Sequence, residues 1–166
     1  MQTAILTLLT ILTFEAGTIK DSPLSFAAEP LFIEIACLEK VPIVKVQLND
    51  KEAFFVLDSG SDISIINRLD LDKFQFTVKK TASRDVKGFA GEQRGIYRVN
   101  QVKLALGDHE INSSFFATDL KHLVRTIENH TSITVNGILG LDIMKEYGFT
   151  IDYLNMRLSI DLKSNR

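Results

Sequence analysis

The sequence predicts a mainly β fold with one short helix near the C-terminus. Three features support this: apolar residues alternating with polar ones, turn-forming polar groups between apolar runs, and one late stretch of helical spacing. In Val44 to Leu48, Val44, Val46 and Leu48 alternate with Lys45 and Gln47, as in a strand that buries one face. Asn49 to Lys51 is polar and reads as a turn. Ala53 to Leu57 returns as an uninterrupted apolar run, the pattern of a strand covered on both faces. Val102 to Leu106 alternates again, Gly107 to His109 turns the chain, and Ile111 to Ala117 is expected to return as a second hairpin. The helix falls at Leu141 to Gly148, with Ile143, Met144 and Tyr147 on one face and Gly148 suited to end it. Phe149 to Tyr153 and Met156 to Ile160 then close the chain as a hairpin around Leu154 and Asn155. Between Asn67 and Arg84 no periodicity stands out.

A chain of 166 residues suits one domain with a proper core. Lys plus Arg total 19 against 21 for Asp plus Glu, a net charge of -2, so no field gathers nucleic acid or anionic lipid. Apolar residues make up 45% and charged residues 24%, a mix that buries enough surface to fold. The lone Cys37 has no disulfide partner, and His109, His122 and His130 lack the spacing of metal ligands. No metal or cofactor is expected. Neither phosphate-binding glycine motif is present, so nucleotide binding has no support.

Residues 1–30 form an N-terminal extension whose run Ala4 to Phe14 is apolar but short for a bilayer and is preceded by no Lys or Arg. Signal, anchor, removable pro-segment, dimer arm and an element packed on the domain are the roles open to it, and a cytoplasmic location is slightly favoured over export or membrane attachment through residues 4–14. The domain proper is expected at 31–162, with 163–166 as a tail.

The chemically odd stretch is "FFVLDSGSDISII", Phe54 to Ile66, where an acid, a hydroxyl and a glycine interrupt two apolar runs. An acid at the end of a buried strand is suited to the base of a cleft. Gly60 permits a tight turn and close approach of another chain, and Ser59 adds a neutral hydroxyl. Alone, D-S-G is a common turn sequence. About eighty residues later, however, comes "GILGLDIM", Gly137 to Met144.

Together these two stretches resemble the retropepsin-like aspartic protease family. Val56, Leu57, Asp58, Ser59, Gly60 and Ser61 match its catalytic motif, and Ile138, Leu139 and Gly140 match the second motif that packs beside the catalytic loop. Asp142 falls where the family commonly has Asn or Asp. The resemblance spans about Ile43 to Ile160 and implies a closed β-barrel of the acid protease type. It further implies that Asp58 is catalytic with Ser59 and Gly60, and that Ile138, Leu139 and Gly140 support them. Asp62 matches a position that contacts substrate backbone. Lys87 to Tyr97 occupies the interval of the glycine-rich flap, whose Gly88, Phe89, Ala90 and Gly91 would cover substrate. Ser59 replaces the commoner Thr but keeps the hydroxyl that bonds across the two catalytic loops.

Hydrolysis by this route needs two carboxylates around one water, one accepting a proton and the other donating one. D-S-G occurs once here. The resemblance therefore implies a homodimer that pairs Asp58 with its own copy and acts on a polypeptide substrate. The alternative is a non-catalytic peptide-binding or dimerisation module with the same barrel.

Overall fold

In the computed structural model, which describes residues 30–37, 41–88 and 91–161, the chain enters the sheet as β1 (Leu31–Cys37). Ile35 is buried while Phe32, Glu34 and Ala36 are exposed. β2 (Ile43–Leu48) and β3 (Lys51–Leu57) form the first expected hairpin, paired from Ile43 with Val56 to Leu48 with Lys51. Asn49 and Asp50 both adopt left-handed conformations, with φ of 48° and 61°, which suits a two-residue turn between twisted strands. Asn49 also ties this turn to its neighbours, because its Nδ2 donates to the carbonyls of Phe74 and Gln101 and its Oδ1 accepts from Lys103 N.

β4 (Ile65–Asn67) leads through a 3-10 turn at Arg68–Asp70 into α1 (Leu71–Phe74), which ends at Gln75 with φ 56°. The long hairpin of β5 (Thr77–Gly88) and β6 (Gly91–Asn100) follows. β7 (Leu104–Leu106) and β8 (His109–Ile111) make a second hairpin, but its return ends at Ile111, short of the expected Ala117. The N–H of Asn112 is taken by Tyr147 Oη at 2.7 Å, which turns the chain out of the ladder. β9 (Phe116–Thr118) pairs instead with β4 and β6. α2 (Lys121–Thr131) is a further helix beyond those expected.

After α2 come β10 (Gly137–Leu139) and α3 (Leu141–Glu146), the short helix that the sequence predicts. Its terminal Gly148 is left-handed, with φ 56°, as a helix-ending glycine should be. It is neither the only helix nor the chain's last element. β11 (Thr150–Asp152) and β12 (Arg157–Ile160) form the closing hairpin, and β12 pairs onward with β1.

The expected closed barrel does not form. The strands make an open path, β11-β12-β1-β2-β3-β10-β4-β9-β6-β5, with β7 branching from β2 to carry β8. Closure requires a matched stagger around the whole ring. Here one end of the path is the three-residue β11, and at the other end the β5/β6 hairpin joins the sheet through a short ladder, Tyr97 and Arg98 opposite β9 and Val99 N donating to Phe115 O at 3.0 Å.

The main core lies on one face of the central strands, around Val44, Phe55, Leu57, Ile66, Leu139, Ile143 and Tyr147. α2 covers the opposite face. Its Ile127 packs with Ile43, Val56 and Val135, and the preceding Leu120 packs with Ile65 and Ile138. Residues 1–29, Phe89, Ala90 and the tail 163–166 lie outside the described residues.

Candidate active site

Three strands meet at the centre of the sheet. β10 runs parallel to β3, with Ile138 beside Val56 and Leu139 beside Leu57, and antiparallel to β4, with Ile138 beside Ile65. Alternation along β3 sends Ala53, Phe55 and Leu57 into the main core and Val56 to the α2 face. Asp58 is next in that alternation on the Val56 side. Its N–H still donates to Leu139 O at 3.0 Å, so the ladder holds its backbone while the residue itself is exposed.

The turn after Asp58 is closed by its own groups. Gly60 N donates to Asp58 Oδ1 at 2.9 Å and Ser61 N donates to Asp58 O at 3.1 Å. A Cβ at Gly60 would stand 3.1 Å from the same Oδ1, tighter than an ordinary contact, so glycine keeps the carboxylate in place. Ser61 Oγ donates to Ile63 O at 2.8 Å, and Leu141 N donates to Ser61 O at 2.7 Å. Ser59 and Asp62 are exposed on this loop.

The second motif packs directly against the first. A Cβ at Gly140 would lie 2.6 Å from the carbonyl carbon and oxygen of Ile63 and 2.7 Å from Ser61 O, so the approach excludes any side chain. Ile138 and Leu139 hold β10 in the sheet by facing its two sides. Asp142, in the first turn of α3, accepts from Ser64 N at 2.9 Å, Ser64 Oγ at 2.7 Å and Ile143 N at 2.8 Å. Ser64 Oγ in turn accepts from Gly140 N at 2.9 Å. Buried Ser64 thus joins both motifs, yet nothing in the sequence singles it out from the surrounding "ISII".

Asp58, Ser59, Gly60, Ile138, Leu139 and Gly140 are therefore brought together, with Asp62 on the same loop. Gly88 and Gly91 face each other at the end of the β5/β6 ladder, and Phe89 and Ala90 between them lie outside the described residues. An open depression of about 570 Å³ lined by Asn112, Ser113, Ser114, Phe116, Asp142 and Glu146 does not include Asp58. Of its two acids, Asp142 and Glu146, Asp142 is already engaged by Ser64 and Ile143, which makes it a structural rather than a reactive carboxylate. Among the described residues no cluster of three or more His, Cys, Asp or Glu could hold a metal ion.

Residues 44–143 match the family described as aspartyl protease. No curated protein matches the chain significantly. Among solved structures, the retroviral protease-like domain of Ddi1 from Leishmania major is similar at 20% identity and a TM-score of 0.50, covering 74% of this chain and 89% of that one. A retropepsin-like aspartic protease from Rickettsia conorii is 16% identical, with a TM-score of 0.49 and coverage of 80% and 90%. EIAV protease, solved with the inhibitor HBY-793, is 20% identical, with a TM-score of 0.46 and coverage of 64% and 88%.

Proposed function

The chain belongs to the aspartyl protease family, and from that premise we propose that it is an aspartic endopeptidase that hydrolyses peptide bonds as a homodimer. The observation that carries this reading is Asp58: an exposed carboxylate at the end of a strand buried on both faces, with one oxygen fixed by Gly60 N. A chain with one D-S-G supplies one such acid. A two-fold axis supplies the second, because it makes a residue face its own copy.

Two carboxylates that close cannot both ionise readily, so the pair shares one proton. The ionised member takes a proton from the attacking water while the protonated member donates to the scissile carbonyl oxygen. Ser59 would then bond across to the partner's loop, keeping the two acids coplanar. Asp62 would hold the substrate backbone, and the hairpin at Gly88, Phe89, Ala90 and Gly91 would cover the extended peptide and exclude water.

Asp58→Asn is the direct test, assayed by mass spectrometry on a mixed peptide library with the oligomeric state followed by sedimentation velocity. Cleavage is expected to fall by roughly 10³-fold or more, since general acid and base both require the carboxylate. The dimer should persist. Retained cleavage by an intact Asp58→Asn dimer would exclude the mechanism.

A further inference from the structure

Asn136 and Gly137 stand where the chain enters β10, and the packing there dictates both residues. Gly137 lies between Phe55 of β3 and Ile66 of β4. A Cβ on it would run into the Phe55 ring and stand 2.5 Å from Ile65 O, so no side chain fits. Asn136 is 3% exposed, and each of its polar atoms has a partner. Its N donates to Phe54 O and its O accepts from Asn67 N, both at 2.7 Å. Its Oδ1 accepts from Phe54 N at 3.1 Å, and its Nδ2 donates to Asp70 Oδ2 at 2.9 Å. The same Asp70 oxygen accepts from Asn67 Nδ2 at 3.3 Å, and Asn67 Oδ1 accepts from Leu120 N at 3.2 Å, just ahead of α2.

The fold therefore places an asparagine directly before a glycine, and asparagine is a thermolabile residue. Its amide is lost when the backbone nitrogen of the next residue attacks Cγ. Ammonia leaves, a cyclic imide forms, and one water reopens the imide to aspartate or isoaspartate. Glycine, having no Cβ, hinders that attack least. In the folded chain the attack requires the Asn136 amide to swing away from both Phe54 N and Asp70, which the surrounding strands oppose.

We propose that Asn136 is a deamidation site that the fold holds shut: it stays an amide while β10 is seated and converts when the sheet opens around it. The conversion runs one way. Aspartate at 136 sets a carboxylate against Asp70 where an N–H now donates, and two carboxylates that close cannot both ionise readily. Isoaspartate adds a methylene to the main chain just ahead of Ile138, Leu139 and Gly140. Either product unseats β10, whose Leu139 O holds Asp58 N at 3.0 Å. A chain that has opened for long enough thus returns without its support for the Asp58 loop, whether or not Asp58 hydrolyses peptides.

The full chain is incubated at mildly alkaline pH, folded in buffer or unfolded in guanidinium chloride, then digested. Mass spectrometry follows each asparagine, and electron-transfer fragmentation separates aspartate from isoaspartate. Asn112, exposed and followed by Ser113, is the internal reference. Asn136 is expected to convert about a hundredfold or more slowly in the folded chain than in denaturant, as a site that reacts only on opening should. Asn112 should differ far less. Asp70→Ala, which removes the acceptor of Nδ2, should speed conversion in the folded chain about tenfold, and thermal melts check that it is folded. Asn136→Asp copies the product. Its unfolding equilibrium constant in denaturant titrations is expected to rise about tenfold or more, and adding Asp70→Asn should recover most of this by returning a donor to the pair. Equal rates for Asn136 in folded and unfolded wild type, or an unchanged rate in folded Asp70→Ala, would overturn the guard. No conversion of Asn136 in denaturant would overturn the site itself. An Asn136→Asp chain as stable as wild type would overturn the one-way loss.

Discussion

Asp142 is linked to the second motif through Ser64. Its two oxygens gather three donors, and the Ser64 hydroxyl that it orients accepts from Gly140 N, the residue that lies against Ile63 and Ser61. Asp142→Ala leaves the Ser64 N–H and hydroxyl without their acceptor, and buried groups stranded in this way cost about 1–3 kcal/mol. Asp142→Asn keeps one oxygen and should lose less. Urea denaturation is expected to rank the two in that order, with unchanged m-values. Gly140→Ala is more severe, because its methyl group would meet backbone atoms that cannot rotate away. A loss of ~3 kcal/mol or more is expected, at the upper end of overpacking effects. A Gly140→Ala protein with wild-type stability would mean that the two motifs do not touch as described.

At the scale of elements, legibility follows the range of the interaction that makes each one. The β2/β3 hairpin, α3 and the β11/β12 hairpin are visible because period-two alternation, an i to i+4 spacing and turn residues are local signals. Gly140 is legible through its motif, but Ser64 is not, since its acceptor lies 78 residues away. α2 carries a helical stripe at Leu120, Leu123, Val124 and Ile127, yet His, Val, Thr and Ile are weak helix formers and Leu120 gives no side-chain cap. Its stability comes from packing on the sheet, which no local pattern shows. Barrel closure is a property of the whole strand path, so a resemblance carried by two short motifs does not fix it. The β11/β12 turn offers a test at this scale. Asp152 accepts from Asn155 Nδ2 at 2.7 Å, from Asn155 N at 3.0 Å and from Leu154 N at 3.1 Å, and pairs with Arg157 at 3.4 Å. The side-chain bond from Asn155, then its backbone N–H, hold the Asp152 carboxyl below the ordinary carboxylate range despite some opposing burial. A lowered folded value means that the turn is favoured while Asp152 is ionised and loses that support as pH falls through it. An NMR titration should therefore find the Asp152 midpoint below about 3.9, and Asn155→Ala should raise it. A wild-type midpoint at or above the ordinary value would sink this account of the turn.

For the whole molecule, the decisive property is that half of the proposed chemistry belongs to another chain. A monomer of this fold presents Asp58 at its surface with one oxygen tied to Gly60, and water activation needs a second acid that the D-S-G count does not provide. Subunit mixing turns this into arithmetic. When wild type and Asp58→Asn are co-refolded in equal amounts and dimerise at random, about a quarter of the dimers hold two acids, half hold one and a quarter hold none. If both acids are required, activity per total chain falls to about one quarter of the wild-type value. If each chain works alone, it falls only to about one half. Holding wild type constant while Asp58→Asn is added in excess sharpens the difference, because the mutant then captures wild-type chains into inactive pairs and activity declines toward zero. An independent site would keep its activity however much mutant is added. Peptide-cleavage rates across the mixing series, read against dimer mass and subunit exchange followed by fluorescence transfer between labelled chains, separate the two outcomes.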